Sequence, residues 1–310
     1  MWLRINILIL INLLFYWRTL KYGYVSDDML VKAASKPTGK FWPDLWSEFR
    51  GVCYFNSKRE HAISLIIHTI NSILVYLAFG ADKVSFWAAM LWAINPVNNQ
   101  CAIWLSGKAY SMSVMLILLG IWFKPFIPLY FYVYHWGING IVYPLVYVNM
   151  HPHWLVLLFP LYFIVRRKIL KDIKTVKGDV STKRMKSISP EKFSLAIKTF
   201  SYYFITALFP IRLGMYHEFG YPYGLTKKDS DDVSKLDAHF WLGLILCILF
   251  AYLMFSNWNN GIGLGLWWWC VFISMWSNVI VIQQFIAERY VYCANIGLMY
   301  ALSCIIWRLL

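Results

Sequence analysis

Charged side chains are scarce in this chain. They make up 14% of its 310 residues, whereas soluble domains carry about 25%. Acids are the scarcer sign, with 15 acidic and 29 basic residues and a formal net charge of +14. Apolar residues account for 60% of the chain. This balance excludes an ordinary soluble domain. Several apolar runs approach or exceed the roughly 18–20 residues that cross a bilayer, so we predict a membrane protein.

Recognisable metal and nucleotide motifs are also missing. The six cysteines are scattered, and no CxxC or His/Cys spacing suggests a metal site. We interpret them as small packing residues, with a disulfide between Cys53 and Cys101 as the alternative. The sequence has no Walker loop, GxGxxG, GxSxG or HExxH motif. These absences argue against chemistry on soluble nucleotides at the cytoplasmic side.

The basic excess is concentrated in one loop, residues 166–198. A stripe of positive charge on a polar domain would suggest nucleic acid, but this loop lies between apolar runs, so we predict no nucleic-acid partner. Its basic residues are Arg166, Arg167, Lys168, Lys171, Lys174, Lys177, Lys183, Arg184, Lys186, Lys192 and Lys198. Such loops stay in the cytoplasm. Recruitment of a partner enzyme or of anionic lipid is the alternative role.

The apolar runs predict an all-α polytopic membrane protein whose single membrane domain covers residues 1–310. We count about ten transmembrane helices, at the length that a bilayer requires or somewhat shorter. They are Trp2–Leu20, His61–Gly80, Val84–Asn95, Tyr110–Phe123, Phe126–Val148, His153–Val165, Phe200–Met215, Phe240–Phe255, Ile262–Ile282 and Asn295–Leu310. The first lacks an A-x-A-like cleavage site, so we expect a retained signal anchor.

The basic loop sets the predicted orientation. Threading ten spans from a cytoplasmic loop at 166–198 places both termini in the cytoplasm. It puts residues 21–60, 216–239 and 283–292 on the outer side, together with the turn at 95–108. We expect a multi-pass protein of a bacterial plasma or inner membrane, or of the endoplasmic reticulum membrane. Residues 41–46, Phe-Trp-Pro-Asp-Leu-Trp, predict a short interfacial helix in the first outer loop.

The most informative polar feature is the acidic pair Asp27-Asp28, a few residues after the first span. Carboxylates near a bilayer are costly unless they are solvated, paired or functional. One of them can act as general base on an acceptor hydroxyl while the other orients it or binds a cation. The alternative is a helix N-cap at Ser26 or Asp27.

Three polar residues share one face of the second span. His61 and His68 are seven residues apart, and Asn71 follows one turn later. His61 lies at the outer end, near the acidic pair in depth, and is a candidate for the substrate pocket. His68 and Asn71 lie at mid-membrane depth, where polar groups face the bundle interior. For these two we predict hydrogen bonds between helices.

Two cations stand at the outer ends of other spans. Lys108 follows the Trp-Leu-Ser-Gly sequence before the fourth span and can meet an anionic headgroup, with a snorkelling lysine as the alternative. Glu288-Arg289-Tyr290 precedes the last span. The planar fork of arginine suits a phosphate or diphosphate, and an internal Glu–Arg pair is the alternative.

Other histidines occur in the predicted outer loops. Tyr216-His217-Glu218 is a further candidate group, and His151-Pro152-His153 supplies two alternating histidines. Two histidines alone are a weak metal signal. A solvated interfacial loop is the alternative interpretation of both groups.

Five stretches occur in the order found in a known family. They are Ser26-Asp27-Asp28, His61–Tyr76, Leu91–Lys108, Leu208-Phe209-Pro210 and Glu288–Tyr292. On these motifs the chain resembles the transmembrane O-mannosyltransferases of the tetratricopeptide-repeat type, within the GT-C glycosyltransferases. The family's H-P-V-H-x-E turn reads N-P-V-N-N-Q at residues 95–100, with amides in place of both histidines and the glutamate. No tetratricopeptide repeats follow the last span, so we do not expect a repeat-bound protein acceptor.

The resemblance implies a GT-C-like bundle that transfers mannose or another hexose, with inversion, from a polyprenyl-phosphate-linked donor. The acceptor is a glycan, a lipid or a protein on the extracytoplasmic or lumenal face. If the matching residues keep the roles they have in that family, the resemblance implies that Asp27 or Asp28 is the catalytic base. It also implies that Arg289 and Lys108 contact the donor phosphate. The remaining substrate-pocket candidates are His61, Glu288, Tyr290, Tyr216, His217, Asn98 and Gln100. A divalent cation is the one cofactor considered, and membrane lipids are the surrounding partners.

Two other classes of function fit a polytopic chain. A transporter or flippase for a lipid-linked saccharide predicts inverted repeats and paired broken helices near the midplane. No such repeat stands out in the sequence. A non-catalytic membrane scaffold is favoured by the amides at residues 95–100. The acidic pair and Glu288-Arg289 argue against the scaffold.

Overall fold

The computed structural model describes residues 1–24, 28–49, 54–123, 145, 190–211, 213, 236–277 and 286–310. Within these ranges the regular elements are helices, as the sequence predicts. The α-helices are α1 (Trp2–Tyr16), α2 (Asp28–Ala34), α3 (Phe41–Phe49), α4 (Ser57–Ala78), α5 (Lys83–Ile94), α6 (Asn99–Ala102), α7 (Lys108–Trp122), α8 (Pro190–Leu208), α9 (Ala238–Ser256), α10 (Gly261–Ser274) and α11 (Val291–Leu309). Short 3-10 turns are Trp17–Lys21, Pro96–Asn98, Leu105–Gly107 and Glu288–Tyr290.

Five helical stretches are long and apolar enough to cross a membrane. They are Trp2–Lys21, Ser57–Ala78, Leu105–Trp122, Ala238–Ser256 and Glu288–Leu309. They match the first, second, fourth, eighth and tenth predicted spans. The third and ninth correspond to the shorter apolar helices α5 and α10; the ninth ends at Ser274 and not at Ile282. The fifth and sixth predicted spans lie outside the described residues, apart from residue 145.

The seventh predicted span, Phe200–Met215, is misplaced. Helix α8 begins ten residues earlier, at Pro190, and ends at Leu208. Proline is favoured in the first turn of a helix, where its missing N–H costs nothing. Pro210 stands just beyond the end, where it cannot continue the helix. Residues 190–198, predicted as part of the basic loop, are therefore helical, and Lys198 is buried and ion-paired. The rest of that loop lies outside the described residues.

The predicted short helix in the first outer loop is present and extends to residue 49. Helix α3 carries Pro43 in its first turn and begins with two aromatic side chains. Phe41 is 65% exposed and Trp42 is 74% exposed. Asp44 anchors the start of the helix, because its carboxylate accepts hydrogen bonds from the Thr38 hydroxyl at 2.7 Å and the Gly39 amide at 3.2 Å. The Thr38 hydroxyl bond is the main reason why the pKa of Asp44 is lowered.

Helix α4 packs antiparallel to both α1 and α5. At the start of α1, Arg4 donates a hydrogen bond to the carbonyl of Ala81, just beyond the end of α4, at 3.3 Å. At the end of α1, Tyr16 packs edge-on against the His68 ring and donates to the carbonyl of Ala93 near the end of α5, at 3.0 Å. The chain therefore leaves α1 and enters α4 at one end of the bundle.

Helices α7 and α11 begin at that same end. The Lys108 ammonium, at the start of α7, lies 2.6 Å from a carboxylate oxygen of Glu60 in the first turn of α4. At the other end of the bundle, Lys83 at the start of α5 lies over the Trp307 ring near the end of α11, at 5.5 Å. We call the end where α1 stops and α4, α7 and α11 start the polar end.

The core of the bundle carries the predicted interhelical hydrogen bonds. Tyr292 donates its hydroxyl to His68 Nδ1 at 2.8 Å, and His68 Nε2 lies 3.1 Å from the carbonyl of Ala93. A carbonyl can only accept, so Nε2 carries the hydrogen. The Asn71 amide donates to the Tyr292 hydroxyl at 3.1 Å and to the carbonyl of Ser111 at 2.8 Å. The structural role predicted for His68 and Asn71 is confirmed.

Helices α10 and α11 touch backbone to backbone at Gly265 and Gly297. A Cβ atom added to Gly297 would lie 2.4 Å from the Gly265 carbonyl oxygen, and one on Gly265 would lie 2.5 Å from that of Gly297. Real Cβ atoms do not approach a backbone so closely. Only glycine at both positions allows the two helices to cross at this distance.

Gly297→Ala is expected to lower the unfolding temperature of the purified chain in detergent. The added methyl group forces the helices apart, and overpacking of this kind costs about 1–3 kcal/mol. Differential scanning fluorimetry measures the shift. Gly23→Ala is the matched control, because no atom lies within 4 Å of the added Cβ there. Equal melting temperatures for the two variants would contradict the close crossing.

Candidate functional site

Asp28 is held against the turn that precedes α7. Its side chain is completely buried. Its Oδ1 atom accepts a hydrogen bond from the backbone N–H of Ser106 at 3.0 Å and another from the Ser106 hydroxyl at 2.8 Å. The Tyr54 hydroxyl lies 3.5 Å from the same Ser106 oxygen. The second acid of the pair is thus fixed at the polar end. Asp27, the other candidate for the base, and Ser26, a candidate for the helix cap, lie outside the described residues.

A buried network of opposite charges lies beside it. Lys108 bridges α7 to two elements, because its ammonium pairs with Glu60 at 2.6 Å and donates to the backbone carbonyl of Glu48 at 3.1 Å. The Glu48 side chain pairs in turn with Arg59. Lys108, Glu60 and Glu48 are all fully buried. The sequence predicts Lys108 at the surface, but it is enclosed; its contact with a donor phosphate stays a prediction.

The carboxylates of this region act together on Tyr24. Burial raises the pKa of the Tyr24 hydroxyl, and the negative charges of Glu60, Asp28 and Glu48 raise it further. Three acids from α2, α3 and α4 therefore influence one point at the polar end. The sparse acids of the sequence do not suggest this grouping at the polar end.

Glu48 titrates near neutral pH. Burial and the neighbouring Glu60 carboxylate raise the pKa of Glu48 to about 7, against the opposing charges of Arg59 and Lys108. Between the ordinary pKa of glutamate, 4.5, and this raised value, the folded chain holds a proton that the unfolded chain has already released. The stability contributed by Glu48 is therefore present at acid pH and is lost as the pH rises to about 7.

We expect the backbone amides of α3 to exchange more readily at about pH 8 than at pH 5.5, after correction for intrinsic exchange. Hydrogen exchange with mass spectrometry on residues 41–49 measures this. Glu48→Gln should remove the pH dependence, since the amide cannot titrate. Asp44→Asn should keep it, because the lowered pKa of Asp44 puts its titration far below this window. Identical pH profiles in wild type and Glu48→Gln would contradict the assignment of this pH dependence to Glu48.

His61 stands at the same end, in the second turn of α4. Its side chain is 2% exposed, and Nε2 lies 3.3 Å from the carbonyl of Gly23. The Tyr22 ring meets it edge-on. The residue predicted for the substrate pocket is therefore held by the segment that leads to Asp28. Its role toward a substrate stays a prediction.

Arg289 lies among aromatic rings. The centre of its guanidinium is 5.0 Å from the Tyr290 ring, 5.2 Å from the Trp104 ring and 5.9 Å from the Tyr110 ring. Tyr290 itself stacks on Trp276 with 3.9 Å between ring centroids. Ring faces attract a cation, so the charge is stabilised in a site that is only 8% exposed.

The turn at residues 95–100 contacts the backbone of Arg289. Gln100 accepts a hydrogen bond from the backbone N–H of Arg289 at 3.2 Å, and the Cys101 thiol donates to its carbonyl at 3.7 Å. Cys101 is a free, buried thiol, and Cys53, the other cysteine of the alternative disulfide, lies outside the described residues. Asn98 donates to the carbonyl of Trp92 at 2.6 Å. Gln100 thus orients the Arg289 backbone, while Asn98 closes the turn.

One short segment joins these groups. Trp104 contacts Arg289, Ser106 holds Asp28, and Lys108 pairs with Glu60. Consecutive Cα atoms are about 3.8 Å apart, so Trp104 and Ser106 lie within about 8 Å of each other. The structure therefore places Asp28, His61 and Lys108 in one group of contacts and Gln100, Glu288, Arg289 and Tyr290 in another, and the Trp104–Lys108 segment links the two groups. Tyr216 and His217 lie outside the described residues.

The sequence did not single out several residues of this site. Glu48, Glu60, Ser106, Trp104 and Tyr110 were not predicted. Glu60 carried a usable signal, since it is an acid directly before His61 at the start of an apolar helix. In the part of the chain that the structure describes, no three His, Cys, Asp or Glu side chains are grouped to hold a metal ion. The divalent cation stays a prediction.

Comparison with protein-family models, with curated proteins and with solved structures finds no match to this chain. The interpretation of the site therefore depends on its own residues and their geometry.

Proposed function

We propose that this chain is a multi-pass membrane glycosyltransferase of the GT-C type. It transfers a hexose such as mannose from a polyprenyl-phosphate donor to a hydroxyl group at the extracytoplasmic or lumenal face. The observation that carries the proposal is the Trp104–Lys108 segment, which contacts Asp28 on one side and Arg289 on the other. A base for an acceptor and a cation for a leaving phosphate are the two groups this reaction requires.

The membrane setting is part of the proposal. Five stretches long and apolar enough to cross a bilayer support it, and so do the basic residues between positions 166 and 186, ahead of α8. In the proposed topology about ten helices span the membrane and both termini are cytoplasmic. The polar end then faces the extracytoplasmic or lumenal side. The donor's lipid tail lies between helices, and its phosphate reaches the polar end from the membrane.

The proposed reaction is a single displacement with inversion. The acceptor oxygen forms a bond to the anomeric carbon while the bond from that carbon to the phosphate oxygen breaks. The leaving polyprenyl phosphate takes the electron pair, and Asp28 takes the hydroxyl proton. Arg289 stabilises the charge that develops on the phosphate. We assign the phosphate to Arg289 ahead of Lys108, because Lys108 is already paired with Glu60.

The test uses the full chain in nanodiscs with a panel of labelled polyprenyl-phosphate sugars and a lipid and glycan extract of the host membrane. The expected result is release of free polyprenyl phosphate from one donor, with the label moved to an acceptor. Release from none of the donors would refute the proposal. Donor that crosses the bilayer of sealed vesicles without cleavage would favour the flippase instead.

A further inference from the structure

Ser106 makes two hydrogen bonds to a single oxygen of Asp28. Both its backbone N–H, at 3.0 Å, and its hydroxyl, at 2.8 Å, reach Oδ1. A carboxylate has no hydrogen to give, so both groups act as donors. Asp28 is fully buried, and hydrogen bonds to a buried charged group are among the strongest in proteins. The carboxylate therefore takes its orientation from Ser106.

The turn that carries Ser106 is locked in place. Gly107 follows directly, and a Cβ atom there would lie 2.0 Å from the Gln100 carbonyl oxygen. The Gly107 N–H also donates to the carbonyl of Trp104 at 3.0 Å, which closes the turn. Only glycine permits this approach between the turn and α6. Ser106 consequently presents its two donors from a rigid support.

We propose that Ser106 is the positioning residue of the catalytic acid, an inference that rests on the proposed function. Its hydroxyl fixes the plane of the Asp28 carboxylate and favours the charged form, so that Asp28 is ready to accept the hydroxyl proton. Trp104, two residues upstream, contacts Arg289. The same turn therefore also sets the spacing between the acid and the cation.

Ser106→Ala tests the proposal in the donor-cleavage assay. It removes one of the two bonds and leaves the backbone N–H in place. We expect kcat to fall about 10- to 100-fold, the value of a hydrogen bond to a charged group, with KM for the donor unchanged. The acid limb of the pH profile should move to higher pH, because the charged form has lost a bond that favours it.

Two further variants separate positioning from folding. Ser106→Thr keeps the hydroxyl and should restore most of kcat and the original pH limb. Ser111→Ala is the matched control, since this buried hydroxyl donates only to the carbonyl of Lys108 in its own helix, at 2.9 Å. Its kcat should stay near the wild-type value. Equal losses in Ser106→Ala and Ser106→Thr, or an unmoved pH limb in Ser106→Ala, would overturn the inference.

A second readout does not depend on transfer. A hydrophobic carbodiimide reacts with protonated carboxyl groups, and mass spectrometry with fragmentation assigns the label to Asp28. Labelling as a function of pH should have its midpoint at higher pH in Ser106→Ala than in wild type or Ser106→Thr. Equal midpoints would overturn the role of Ser106. If no donor is cleaved by wild type, the proposed function fails, while the labelling still decides the positioning.

Discussion

Asp28→Asn is expected to abolish sugar transfer and to leave the chain folded. Asparagine has the shape of aspartate, and its Oδ1 atom can still accept both hydrogen bonds from Ser106. It cannot take a proton from an acceptor hydroxyl. Loss of a general base costs about 100- to 10,000-fold in rate. The release of polyprenyl phosphate in nanodiscs measures the effect, and the unfolding temperature checks the fold.

The matched control for this variant is Asp44→Asn. Asp44 is also an acid of the first loop, but its carboxylate is held by Thr38 and Gly39 just before α3. Its replacement should leave transfer near the wild-type rate. Asp27→Asn is to be measured beside it, because the acidic pair offers two candidates for the base. Full activity in Asp27→Asn, in Asp28→Asn and in the double variant would refute an acidic base at this position.

Lys108→Met is expected to destabilise the chain by about 3–5 kcal/mol, which is the cost of leaving one partner of a buried ion pair without the other. The substitution leaves the carboxylate of Glu60 without its cation, and this carboxylate is fully buried 2.6 Å from the Lys108 ammonium. The carbonyl of Glu48 also loses its donor. Denaturant unfolding followed by tryptophan fluorescence measures the change.

A double variant provides the control for Lys108→Met. Adding Glu60→Gln to Lys108→Met removes the unpaired charge, so most of the lost stability should return. Lys83→Met is the matched single variant, since that lysine is exposed and lies over the Trp307 ring. It should change stability by less than about 0.5 kcal/mol. A Lys108→Met variant as stable as Lys83→Met would show that the buried pair contributes nothing.

Local patterns were sufficient to predict much of the helix bundle. The spacing of His61, His68 and Asn71 on an apolar helix predicted a shared interior face, and the hydrogen bonds of His68 and Asn71 confirm it. Five predicted spans recur as long apolar helices. Such features depend on residues within a few turns of each other, which periodicity detects well.

The predictions failed where distant segments meet. Glu60 and Lys108 are 48 residues apart, and no local pattern joins them. The sequence alone therefore predicted that Lys108 is a cation at the surface. Ser106 was overlooked for the same reason, since its partner Asp28 lies 78 residues away. The start of α8 was missed because polar and charged residues precede Phe200, although Pro190 marks a helix start. Lys198 of α8 pairs with Asp237, the N-cap of α9, and these two residues are distant in the sequence.

The alternation of contacts along residues 104–108 has a mechanical consequence. Trp104, Ser106 and Lys108 lie on one five-residue segment, and each contacts a different charged group: Arg289, Asp28 and Glu60. Because one short backbone segment carries all three contacts, a displacement at Trp104 is expected to reach Asp28 and Glu60. Since a misplacement of about 1 Å can cost a hundredfold in rate, the proposed transfer depends on this segment keeping its position.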